Sequence, residues 1–204
     1  MRMNTKGIIN LPFDGFIFKL AEKFKLASVS VLRLPAGSAP PAGSFYSDSA
    51  ALSRWPEFLA KTASVRADPS ALFPWAKSVV AIACPFANIP ASPVKERLRP
   101  AREGRPSGRI AGYALLEDYH YFGKRLMDSL IEELKNFAGE DFRSETCLDT
   151  SPVAERGLAL LSGLGVMGAN SCLLAPPFGS GCFLVFAFCD QDFPELRRSA
   201  PDSP

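Results

Sequence analysis

One stretch, residues 142–188 (FRSETCLDTSPVAERGLALLSGLGVMGANSCLLAPPFGSGCFLVFAF), limits what this chain can fold into more than any other. Its first part, 142–148, reads as a strand that ends on Asp149. Ser151 is a preferred helix cap, and Pro152 suits a first helical position, where a missing N–H costs nothing. Val153, Gly157, Leu160, Leu161 and Leu164 follow at helical spacing, which predicts a helix with one buried face. Gly163, Gly165 and Gly168 end it, since glycine accepts positive φ and lets another group approach the backbone closely. Strands are then expected over 171–175 and 181–188, joined as a hairpin by a Pro-Pro-Phe-Gly-Ser turn. An acid at a strand end, facing a helix start and a glycine turn, is a common way to build a pocket.

The rest of the chain mixes helices and strands. Residues 14–25 place Phe16, Leu20 and Phe24 on one helical face, and 27–34 alternate as a strand does. Residues 35–47 are rich in Pro, Gly, Ser and Ala and predict a loop. A helix over 49–63 must kink or restart at Pro56, and Asp68 opens a short turn. The apolar run 78–84 has the length of a buried strand. The longest helix is expected over 117–138, where Tyr119, Phe122, Leu126, Leu130, Leu134 and Phe137 recur at spacings of three and four. Glu117 and Asp118 stand at its start, where the helix dipole favours acids. Periodicity stops after Cys189, so residues 191–204 are expected to be a disordered tail behind one domain over 1–190. This pattern, with a local hairpin and no regular strand–helix repeat, predicts an α+β fold: a mixed, largely antiparallel sheet flanked by helices.

At 204 residues and 47% apolar content, the chain can bury a core without staples. It has no apolar run of membrane-spanning length, and its start lacks the pattern of a signal peptide, so no membrane association and a cytoplasmic location are expected. Of the five cysteines, none in a C-x-x-C pair, four lie in expected strands and read as small buried hydrophobes rather than as metal ligands, and no metal site is expected. Charge is uneven: residues 93–109 carry six Lys or Arg against two Glu, while the whole chain is only +2. Within this segment Arg97, Arg99 and Arg102 are candidate phosphate or RNA contacts, although a solvated loop has the same composition.

Several residues have both a chemical and an architectural reading. Asp149 either helps cap the following helix or acts as a general acid whose pKa is raised by burial in an apolar pocket. His120 is the only histidine, so it cannot form a multi-histidine metal site. It sits in the first turn of a helix, where the dipole lowers its proton affinity and Glu117 and Asp118 oppose that. Glu155 and Arg156 either pair with each other or line the pocket. Gly163, Gly165, Gly168 and Asn170 serve equally as a helix stop or as a backbone surface open to a flat ligand.

Taken together, LDTSPVAER, GLGVMGANSCLL and GSGCF, with RADPSALFPWAKSVVAIACPF and GRIAGYALLEDYHYFGKRL upstream, resemble the epoxyqueuosine reductases across roughly residues 14–188. These cobalamin-dependent enzymes complete queuosine in tRNA. The resemblance implies a nitroreductase-like cobalamin domain with Asp149 as proton donor. It places Tyr113, Tyr119, His120, Gly163, Gly165, Gly168 and Asn170 by the corrin, and Glu155 and Arg156 by the substrate. It also implies tRNA as the partner. Two positive charges of the family pattern are replaced here, by Gly112 and by Ala169. Family members continue into a segment whose clustered cysteines bind two four-iron clusters. The expectation is therefore the corrinoid and substrate half of such an enzyme, truncated before the iron–sulfur segment, with a separate iron–sulfur protein as electron donor. A non-catalytic corrinoid- or flavin-binding module, or a decayed copy, has the same sequence signature.

Overall fold

The computed structural model describes residues 13–34, 56–93 and 108–197, together with 104 and 106. In chain order its regular elements are α1 (Phe13–Lys23), β1 (Ser28–Arg33), α2 (Glu57–Lys61), α3 (Ala63–Ala67), β2 (Ser78–Pro85), α4 (Tyr119–Ala138), β3 (Ser144–Cys147), α5 (Glu155–Leu161), β4 (Val166–Met167), β5 (Leu173–Leu174) and β6 (Cys182–Cys189). The main sheet has the order β1-β2-β6-β3 and every neighbouring pair is antiparallel. The fold is α+β, as the pattern predicts.

Both faces of the sheet are covered, which is why β2 is buried at every position and shows no alternation. On one face Val29, Val31, Val80, Ile82 and Val185 meet Ile17 and Leu20 of α1 and Met127, Leu130 and Leu134 of α4. On the other, Leu32, Val79, Phe186 and Phe188 meet Val153, Leu158, Ala159 and Leu164 around α5. Helix α4 begins where the Asp118 carboxylate accepts the His120 N–H at 2.9 Å, and it ends on Gly139 at φ 73. Its closest approach to the sheet is at Gly123, where a Cβ would stand 2.9 Å from both Leu148 Cδ2 and Phe183 Cε2.

Three expectations are corrected. The helix after Asp149 starts at Glu155 and not at Pro152, and its N-cap Ala154 makes no side-chain cap. Ser151 instead turns toward the Cys147 thiol, and its carbonyl takes the Val153 N–H at 2.8 Å. The strands around 173 and 182 do not form a hairpin with each other. β6 uses both its edges for β2 and β3, so β5 pairs with β4 in a separate two-stranded sheet. Finally, residues 191–197, expected to begin a disordered tail, pack against β1 and α1. Phe193 is 4% exposed and packs against Phe13 and Phe142, and Leu196 bridges Val31 at the outer edge of β1. Two apolar side chains suffice to dock a segment that lacks periodicity. Pro56 caps the start of α2 and the helix breaks at Thr62, while the part expected before Pro56 lies outside the described residues; Asp68 opens the turn at Pro69–Ala71 by accepting the Ser70 N–H at 2.8 Å. Among the described residues no helix is long and apolar enough to cross a membrane.

Candidate active site

Antiparallel order brings the end of β2, the start of β6 and the end of β3 to one edge of the sheet, where the first turn of α4 crosses them. The cleft formed there has a volume of about 240 Å³ and is lined by Phe86, Tyr113, Tyr119, Leu148, Asp149, Glu155, Phe183 and Leu184. Its wall is aromatic: Phe86 stacks on Phe183 at 6.3 Å and meets Tyr113 at 5.8 Å, while Tyr119 lies 6.1 Å from Phe183. Four of these lining residues, Phe86, Leu148, Phe183 and Leu184, have no chemical signature in the sequence. Only their positions at strand ends bring them into the site.

Asp149 sits two residues beyond the end of β3 with φ 52. Its Oδ2 accepts the Tyr119 hydroxyl at 2.6 Å and lies 3.4 Å from His120 Nε2. Its backbone N–H donates to Glu155 Oε1. The expected burial of Asp149 is corrected: its side chain is 59% exposed. The acid that burial perturbs is Glu155, whose carboxyl is pushed up to about 7, chiefly by burial. The Asp149 N–H, Arg66 and His120 oppose that rise, and the Asp149 charge adds to it. The Tyr119 phenol is likewise raised above its ordinary range, by burial first and then by its bond to Asp149.

His120 is fixed by Asp118, whose Oδ1 accepts both the His120 N–H, at 2.9 Å, and an Nδ1 contact at 2.8 Å. These two bonds hold the Asp118 carboxyl below its ordinary value, the backbone bond contributing most. The imidazole stacks on the Tyr119 ring at 4.2 Å, and Nε2 is buried without a hydrogen-bond partner. Asp118, Tyr119, His120, Asp149 and Glu155 thus form one connected group at the mouth of the cleft.

Other candidates lie elsewhere. Arg156 does not pair with Glu155; it donates to the Ser171 carbonyl at 2.8 Å and braces the β4–β5 turn. Gly163, Gly165, Gly168 and Asn170 are absent from the cleft lining. Gly163 ends α5 at φ 72. A Cβ on Gly165 would fall 2.3 Å from the Leu174 carbonyl oxygen, and one on Gly168 would fall 2.7 Å from Asn170 Oδ1, which itself accepts the Cys172 N–H at 3.1 Å. The close approach these residues permit is that of the chain to itself. Arg97, Arg99 and Arg102 lie outside the described residues.

Residues 66–150 match the family model described as epoxyqueuosine reductase QueG, DUF1730. The epoxyqueuosine reductase of Francisella cf. novicida (strain Fx1) is 33% identical over 149 residues, which make up 72% of this chain and 39% of that protein. The solved epoxyqueuosine reductase of Streptococcus thermophilus superposes with a TM-score of 0.69 at 19% identity, over 95% of this chain and 49% of that one. An epoxyqueuosine reductase solved with a tRNA-Tyr epoxyqueuosine-modified stem loop superposes with a TM-score of 0.63 at 22% identity, over 89% and 47%. The chain therefore spans about two fifths of the length of this curated relative and about half of these solved chains. At such identities the superpositions establish a shared fold.

Proposed function

The chain belongs, through its matched segment, to the epoxyqueuosine reductase family, and from that premise we propose that it reduces epoxyqueuosine to queuosine in tRNA with Asp149 as proton donor. The observation that carries this reading is the placement of the Asp149 carboxyl, bonded to Tyr119 and beside His120, at the mouth of an aromatic cleft. Opening the epoxide to an alkene and water takes two electrons and two protons. When bound, a cobalamin would supply the electrons, a role no amino-acid side chain fills. The uncharged wall of Phe86, Tyr113 and Phe183 fits the flat face of such a group. A cleft of about 240 Å³ is smaller than a drug-sized pocket, so its rings would meet only part of such a group.

The chain's own residues then do the following. The aromatic wall excludes water from the reacting ring. Asp149 delivers a proton to the departing oxygen. Tyr119 donates its hydroxyl hydrogen bond to the carboxylate left behind and holds it at the cleft mouth. Asp118 fixes the imidazole of His120 so that Nε2 faces the same carboxylate. Glu155 holds the backbone that presents Asp149. The arginines at 97, 99 and 102 would hold tRNA phosphates, and a separate iron–sulfur protein would supply the electrons.

Two measurements test this. Cobalamin titrated into the protein should change the visible spectrum, and colour should be retained through gel filtration. An epoxyqueuosine-modified stem loop should then be converted when the corrinoid is chemically reduced. An unchanged spectrum together with unconverted stem loop would remove the proposal.

A further inference from the structure

The turn that carries Asp149 is folded largely on itself. Thr150 N–H bonds the Leu148 carbonyl at 2.5 Å, and Val153 N–H bonds the Ser151 carbonyl at 2.8 Å. Hydrogen bonds from three side chains further along the chain or upstream reach it, beside the His120 Nε2 that lies 3.4 Å from Asp149 Oδ2. Tyr119 reaches Asp149 Oδ2 at 2.6 Å, Glu155 takes the Asp149 N–H, and Arg66 Nη1 donates to the Val153 carbonyl at 3.2 Å. Tyr119 and Glu155 line the cleft; Arg66 does not. It comes from α3, 87 positions upstream of Val153, and is fixed at its other side by a 3.0 Å bond from Nε to Thr62 Oγ1. Val153 is 1% exposed, so its carbonyl has little water to turn to if the guanidinium leaves. The same cation lies close enough to Glu155 to favour its ionised form against burial. One residue therefore serves both ends of the turn: the carbonyl that closes it and the carboxyl that grips its first N–H.

We infer that Arg66 is a positioning residue: by clamping the Val153 carbonyl it keeps the 148–154 turn closed, so that Asp149 stays in its left-handed conformation against Tyr119. The catalytic consequence rests on the reading of Asp149 as proton donor; the clamp itself does not. An Arg is suited to this because its planar fork bonds Thr62 and Val153 at once, whereas a lysine ammonium on a flexible stem can hold only one of them firmly.

Amide hydrogen exchange on the full chain tests the clamp without reading activity. In Arg66→Gln, exchange across residues 148–155 should rise by roughly tenfold or more, while β2 and β6 keep their protection, as expected for a local opening. Arg66→Lys should fall between the two, since it can still donate to Val153. In a turnover assay Arg66→Gln should lower kcat with little change in KM. Unchanged exchange in the turn, or exchange that rises equally in the central strands, would overturn the inference. A turn that loosens while Asp149→Asn remains fully active would leave the clamp standing and sink the proton-donor reading instead.

Discussion

At Asp149 the backbone stands at φ 52, a left-handed conformation that Asp and Asn tolerate and Ala does not. Asp149→Asn therefore keeps the turn and removes only the transferable proton. Reduction with a chemically reduced corrinoid should fall by roughly two to four orders of magnitude, while melting temperature and cobalamin affinity stay where they are. An Asn variant with full activity would rule the acid out. Glu155 gives a stability prediction of definite sign. Its carboxyl titrates at 4.5 when unfolded and at about 7 when folded, so between these values the folded state holds the proton more firmly. Its contribution to stability is full below the unfolded value and is lost as pH rises through about 7, a loss on the order of 3 kcal/mol. Glu155→Gln keeps an acceptor for the Asp149 N–H but cannot ionise. Denaturant unfolding should show the variant gaining on the native chain between about pH 5 and about pH 8, and parallel curves would refute this. The sequence motif contains both acids, and the strand end before Asp149 made that residue legible as chemistry. Which of the two is buried was not legible. That depends on the handedness of the turn, which sends Asp149 outward and Glu155 in.

The elements around the site were legible where one apolar face sets the period. The spacing of α4 and the short apolar run of β2 each have a single way to bury themselves. Pairing was harder to read, because a strand's neighbours are decided by which edges are free. β6 pairs along its whole length with β2 and over its last four residues with β3, while β5 pairs with the two residues of β4. The β4–β5 unit depends on Gly165 for a steric reason that a substitution can isolate. A Cβ at Gly165 would meet a backbone carbonyl at 2.3 Å, which no rotamer change relieves, whereas Gly112 has nothing within 4 Å. Gly165→Ala should cost about 1–3 kcal/mol, in the range of overpacking. Gly112→Ala should stay within about 0.5 kcal/mol, as an open surface site does. Equal unfolding free energies for the two variants would contradict the packing assigned to this turn.

For the whole molecule, charge and shape divide the work of recognition. The cleft is lined by the acids Asp149 and Glu155 and walled by aromatic rings, so it offers little to a phosphate. The excess positive charge lies in residues 93–109, at +4, which leaves −2 for the rest of the chain. That segment was legible from composition, since charge needs no fold to be counted. The docking of Phe193 and Leu196 behind the sheet was not, because two apolar residues set no period. The basic segment ends at Arg109, and the exposed residues Ile110 and Tyr113 lead from it to the rim of the cleft. The proposed tRNA contact through this segment implies a dependence on salt. Affinity for a tRNA stem loop should fall with salt by roughly 0.9 log units per log unit for each duplex phosphate contact. Replacing Arg97, Arg99 and Arg102 together with Ser should reduce that slope by about 2–3 and weaken binding at low salt. Conversion of a small nucleoside substrate, which has no phosphates to hold, should be unaffected by the same three substitutions. A slope that survives the triple replacement would move the phosphate contacts to another surface and leave the basic segment as solvated chain.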